Sequence, residues 1–98
     1  MSFENINNGL FTQTEEDSDV LLQEVEERNL VLHNDDVNTF DWVIECLIRI
    51  CKHNATQAEQ LTLLVHFKGK AHVKKGTFEE LKPLKDAFID KGINATID

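Results

Sequence analysis

The densest group of polar side chains in the body of this chain is Asn34-Asp35-Asp36, separated by His33 alone from the apolar run Leu30-Val31-Leu32. Two adjacent aspartates could serve as an acid/base or metal pair. Side chains on neighbouring residues usually diverge, however, and no third acid or histidine stands nearby at a ligand-like spacing. Two other readings fit better. Asn and Asp close turns and cap helices through local hydrogen bonds. Amide and carboxylate acceptors at the end of a strand can also grip an ammonium group, such as a free peptide α-amine. His66 stands near the end of a helical pattern, where a histidine commonly satisfies the last carbonyls. His33, His53 and His72 share no motif with it, so the spacing predicts no zinc site. Cys46 and Cys51 are five residues apart, about 140° around a helix, which fits neither a CxxC motif nor a disulfide framework. Neither cysteine has a histidine at a recognisable nucleophile spacing. Lys68, Lys70, Lys74 and Lys75 form a basic stretch without interleaved aromatics, which reads as a solvated edge and not as a nucleic-acid platform.

The elements that would position these residues follow from periodicity. Asn29 to Asn34 reads as a short strand, and residues 34–38 as a polar loop. Asn38 or Thr39 can cap the next helix, with Asp41 at the reciprocal position of a capping box counted from Asn38. Phe40, Val43, Ile44, Leu47, Ile48 and Cys51 then recur at helical spacing over residues 39–52. After a break at His53-Asn54, Thr56 and Glu59 offer a second capping box. Ala58, Leu61, Leu64, Val65 and Phe67 make the expected inner face of a second helix. Residues 71–76 alternate as a strand with one wet face. Thr77 and Glu80 form a third capping box ahead of Phe78, Leu81, Leu84, Phe88 and Ile89, and Gly92 ends that helix. Pro83 lacks a donor for the Glu79 carbonyl, which predicts a kink or a late start. Ile93 to Ile97 completes a β-α-α-β-α-β order. The fold class is α+β: a small three-stranded antiparallel sheet packed on three helices.

Ninety-eight residues hold one small domain. The formal charge is −8, which argues against nucleic acid or an anionic membrane as partner. It is unevenly placed: residues 1–28 carry eight acids and one base, whereas residues 29–98 carry ten acids and nine bases. The charge divides the chain into a disordered acidic arm over 1–28 and a nearly neutral body over 29–98. No apolar run spans a bilayer and no secretory signal opens the chain, so a reducing cytoplasm is the expected compartment.

Val31-Leu-His-Asn-Asp-Asp36, followed by a helix and then Leu64-Val-His-Phe-Lys-Gly69, resembles ClpS, the adaptor of bacterial Clp proteases. Gly76-Thr-Phe-Glu79, at the start of the last helix, adds to the likeness. The resemblance covers the body and extends to the acidic arm. It implies a non-enzymatic, monomeric adaptor without cofactors. Such an adaptor binds proteins whose first residue is Leu, Phe, Tyr or Trp and delivers them to a ClpA- or ClpC-like AAA+ ATPase. On this pattern Asn34, Asp35, Asp36 and His66 would hold the α-amino group and first peptide bond. Asn38, Phe40, Val43, Thr62, Val65 and, from the last strand, Ile93 would line the side-chain pocket. Glu79 with Lys82 or Lys85 would meet the N-terminal domain of the ATPase, and the acidic arm would engage its pore.

The chain departs from this pattern at several positions. Many members have Thr-Pro-Met where this chain has Asn38-Thr39-Phe40, and Met is common where Thr62 stands. Phe40 is stiffer than Met, and Thr62 is smaller and polar, so the preferred first residue does not carry over. Pro83 is a further departure. The competing expectations are a docking module of related fold, as in the C-terminal domain of a ribosomal stalk protein, and, more remotely, an enzyme.

Overall fold

A computed structural model describes residues 26–98. Six elements follow in the expected order: β1 (Arg28–His33), α1 (Phe40–Cys51), α2 (Ala55–Lys68), β2 (Lys70–Gly76), α3 (Phe78–Asp90) and β3 (Ala95–Ile97). The expected disordered arm lies, up to residue 25, outside the described residues. The sheet order is β2-β1-β3 with both pairings antiparallel. β1 is therefore central, and this suits its run of Leu30, Val31 and Leu32, all buried. Between Leu30 and Val31 the register with β2 slips: Leu30 faces Lys74 while Val31 faces His72. Val73 is the extra residue of a bulge.

Each helix opens on a cap. Thr39 Oγ1 accepts from the Trp42 amide at 3.1 Å, which settles the first cap on Thr39 and not Asn38. Asn54 Oδ1 accepts from the Gln57 amide at 2.8 Å, so α2 is capped by Asn54 and the expected box at Thr56 and Glu59 does not form. The reason is local. Asn is among the strongest cap residues, and once it starts the helix, Thr56 already lies in the first turn. The Thr77–Glu80 box forms as expected, with reciprocal bonds of 3.1 and 2.9 Å. α3 starts at Phe78 despite Pro83, which lies inside it, so the expected late start does not occur. Gly92 follows the helix at φ +84°, a left-handed conformation that favours glycine.

The core joins alternate sheet residues Leu30, Leu32, Ala71, Val73 and Ala95 to Val43, Cys46, Leu47 and Cys51 of α1, Ala58 and Val65 of α2, and Leu81 and Phe88 of α3. Burying each large side chain contributes roughly 1.5–3 kcal/mol. Three expected inner faces are corrected. On α2, Leu64 and Phe67 are exposed, because they lie about 120° and 180° from Ala58 around the axis. Thr62 takes the inner position instead. On α1, Phe40 and Ile48 turn outward, while Trp42 and Ile50 pack against the core. Phe78 and Ile89 of α3 are likewise exposed.

Candidate functional site

The loop between β1 and α1 meets the C-terminal half of α2 across one concavity. The first tie is backbone: the Asn34 amide donates to the Gly69 carbonyl at 2.9 Å. Gly69 is the αL cap of α2, at φ +91°, and its own amide returns to Val65 at 3.0 Å. Ending α2 in this way sets Asn34 beside the turn that carries His66. The resulting cavity of about 370 Å³ is lined by Asn34, Asp35, Asp36, Asn38, Thr39, Phe40, Val43, Thr62, Val65 and His66. Nine of the sequence-derived candidates thus share one cavity. Ile93 lies in an adjoining void of about 20 Å³ that shares Asn34, Asp35, Asn38, Val43 and Val65 with it. It precedes β3 instead of belonging to it.

The lining is divided by chemistry. Asn34, Asp36 and His66 are exposed and polar. Val43 and Val65 are buried and apolar. Thr62 is buried too, but its hydroxyl donates to the Ala58 carbonyl at 2.8 Å. Its hydrogen is therefore engaged within α2. Phe40 meets His66 edge to face, with ring centroids 5.0 Å apart and planes at 74°, and Phe67 contacts the same imidazole at 5.0 Å and 81°. Such contacts hold an imidazole in place at little cost.

Asp35 behaves differently from its neighbours. Its Oδ1 accepts from the amides of Val37 and Asn38, at 2.9 and 2.8 Å, and its Oδ2 accepts from Asn38 Nδ2 at 2.7 Å. The Asn38 amide foremost, with Val37 and the Asn38 side chain adding to it, holds the carboxyl below its ordinary value of 3.8 against the opposing effect of partial burial. Both buried thiols, by contrast, are pushed up by desolvation, Cys51 to about 11. Among the described residues no group of three or more His, Cys, Asp or Glu could hold a metal ion, and no helix is long and apolar enough to cross a membrane.

Glu79, Lys82 and Lys85 lie on α3 and not in the cavity lining. Lys82 pairs with Asp86 at 2.8 Å and Lys85 with the same carboxylate at 3.8 Å. Two residues not assigned to the site from the sequence also bear on it. Thr39 lines it, and Trp42 Nε1 donates to the Lys91 carbonyl at 3.1 Å. A partly buried Trp usually finds a partner for its N–H, the one sequence signal from which such a tether could be anticipated.

Comparison with known proteins adds a family to this geometry. Residues 23–92 match the family model described as ATP-dependent Clp protease adaptor protein ClpS. The chain is 45% identical over 60 residues to the ATP-dependent Clp protease adapter protein ClpS of Oleidesulfovibrio alaskensis, covering 57% of this chain and 58% of that one. It is 44% identical over 66 residues to the E3 ubiquitin-protein ligase UBR1 of Drosophila melanogaster, covering 67% of this chain and 4% of the ligase. The chain thus spans well under two thirds of the length of these relatives. A solved structure of Agrobacterium tumefaciens ClpS2 bound to L-phenylalaninamide shares the fold, with a TM-score of 0.65 at 18% identity, covering 74% of this chain and 95% of that one. With more than two thirds of its length matched to the family model, this chain belongs to the ClpS family of ATP-dependent Clp protease adaptors.

Proposed function

We propose that this adaptor binds the free N-terminal Leu, Phe, Tyr or Trp of a target protein and delivers the target to a ClpA- or ClpC-like AAA+ ATPase in the cytoplasm. The observation that carries the reading is the mixed lining of one cavity, which brings the polar Asn34, Asp35, Asp36 and His66 together with the apolar Val43, Val65 and Phe40. A peptide α-amine has a pKa of ~8 and is mostly charged at neutral pH. Carboxylate, amide and imidazole acceptors are suited to it, and the apolar lining residues are suited to a bulky side chain bonded to the same α-carbon. L-phenylalaninamide, the ligand in the related ClpS2 structure, carries both groups on one small molecule.

Magnitudes favour a carrier over a permanent complex. Hydrogen bonds to a charged group contribute about 1.5–3 kcal/mol each, and burying one Leu or Phe adds roughly 1.5–3 kcal/mol. Association itself costs several kcal/mol or more. The surplus corresponds to micromolar or high-nanomolar affinity, weak enough for the target to be handed over. Glu79, Lys82 and Lys85 of α3, outside the cavity lining, would meet the ATPase.

The test is a pair of peptides of one sequence beginning with Phe, one with a free and one with an N-acetylated terminus, titrated by calorimetry. Acetylation removes the charge and is expected to weaken binding by at least about tenfold, the loss of one charge-assisted bond. Equal affinity for the two peptides would refute the reading.

A further inference from the structure

The loop that carries the cavity's polar groups is fastened to a part of the fold that lies outside the cavity. Asn34, at the start of the loop, is tied to Gly69, and Thr39, at its end, caps α1. Between those anchors Asp36 and Val37 project to solvent, Val37 with 85% of its surface exposed. The span is held by a short relay. Asp35 gathers the amides of Val37 and Asn38, and Asn38 Nδ2 donates to Asp35 Oδ2 at 2.7 Å and to the Gly92 carbonyl at 2.9 Å. A primary amide has two N–H bonds, and here both are engaged. One turn further on, Trp42 donates to the preceding carbonyl, that of Lys91. Two successive carbonyls of the turn between α3 and β3 therefore receive the loop and the start of α1. Neither Lys91 nor Gly92 lines the cavity.

Asparagine is well suited to this position. A threonine hydroxyl, by contrast, has a single hydrogen and can serve only one of the two acceptors. Gly92 matters for the second acceptor, because its φ of +84° sets where its carbonyl points.

We infer that Asn38 is a positioning residue: bridging Asp35 and the Gly92 carbonyl, it clamps the recognition loop to the α3–β3 turn and so sets where Asn34 and Asp36 present their acceptors. The inference rests on the proposed reading of the cavity as an N-terminus site. It gives Asp35 and Asn38, both in the lining, a task different from touching the target.

The experiment uses the full chain, peptides with free N-terminal Phe and free N-terminal Leu, and the variants Asn38→Ala, Asn38→Thr and Gly92→Ala. An added Cβ at Gly92 meets no atom within 4 Å but strains the left-handed backbone, so it disturbs the clamp without removing any atom of the cavity. Asn38→Ala is expected to weaken both peptides by the same factor, about tenfold. Asn38→Thr should recover part of that loss, and Gly92→Ala should weaken both peptides as well. Amide exchange at Val37 and Asn38 should quicken in Asn38→Ala and Gly92→Ala, while the Leu30 and Leu32 amides of the central strand keep the parent's rates. Unchanged affinity in Asn38→Ala overturns the proposal. So does a loss confined to one of the two peptides, which would make Asn38 a wall of the side-chain pocket, and so does unaltered exchange at Val37 and Asn38. If Asn38→Ala does not fold, Asn38→Thr and Gly92→Ala decide by the same criteria. If the parent binds neither peptide, the N-terminus reading falls, and the exchange rates alone decide whether the clamp exists.

Discussion

Thr62 and Cys51 show how single side chains are matched to this small core. Thr62 is buried with its hydroxyl turned back to Ala58, so a polar residue stands in the cavity wall without an unpaired group. That arrangement could not be read from spacing, because a threonine at helical period looks as much like a surface residue as an inner one. Cys51 could be read: it falls on the apolar stripe with Val43 and Leu47, and it is buried there with 2% exposure. Burial pushes its thiol up to about 11, so at neutral pH almost none is thiolate, the reactive form. Native protein at pH 7.5 is therefore expected to react with iodoacetamide at Cys51 far more slowly than protein in denaturant. Mass spectrometry of timed samples checks this, and equal rates in the two conditions would place the thiol outside the core. The polar residues of the recognition loop were legible as a group, since Asn-Asp-Asp after an apolar run is an unusual concentration of acceptors. Their division of labour was not. Asp35 and Asp36 differ only in which backbone amides the loop turns toward them, and that depends on Asn38 reaching the Gly92 carbonyl 54 residues away in sequence.

At the scale of elements, order and type were legible because each helix has a strong opening signal, β1 a short apolar run and β2 an alternating pattern. Faces were less so. The α2 stripe was misread because Leu64 and Phe67 are large and apolar, yet the helix packs through the small residues Ala58 and Thr62 and through Val65. Small side chains allow close approach to α1 and β2, a requirement of tertiary packing that composition does not report. Helix ends give a testable case. α1 ends on Lys52 at φ 64° and ψ 28°, the only described non-glycine residue with positive φ. An L side chain in that region costs roughly 1–2 kcal/mol relative to glycine, part of which the greater freedom of glycine in the unfolded chain cancels. Lys52→Gly is expected to stabilise the domain by up to about 1 kcal/mol. Urea unfolding followed by circular dichroism reads the change. A lower midpoint at unchanged slope would mean that the Lys52 side chain contributes contacts outweighing the strain.

At the scale of the whole molecule, the two parts of the chain differ in charge. Residues 1–28 carry eight acids against one base, whereas the body is close to balance. The cavity, its clamp and the proposed ATPase-facing side of α3 all lie in the body, and every residue assigned to target binding lies between Asn34 and Ile93. If recognition belongs to the body and delivery to the arm, the two activities should separate on truncation. Removing residues 1–20 takes away Glu4, Glu15, Glu16, Asp17 and Asp19 and no base, and it leaves β1, which starts at Arg28, intact. The truncated protein is expected to bind a Phe-starting peptide within about twofold of the full chain, because every residue assigned to target binding is retained and charge effects on exposed groups are screened at physiological salt. Degradation of a Phe-starting reporter by a reconstituted Clp ATPase and peptidase should nevertheless fall to the level seen without adaptor. Two outcomes count against the division. Lost peptide affinity would mean that the arm contributes to the recognition surface, and full degradation would mean that the body alone addresses the machine.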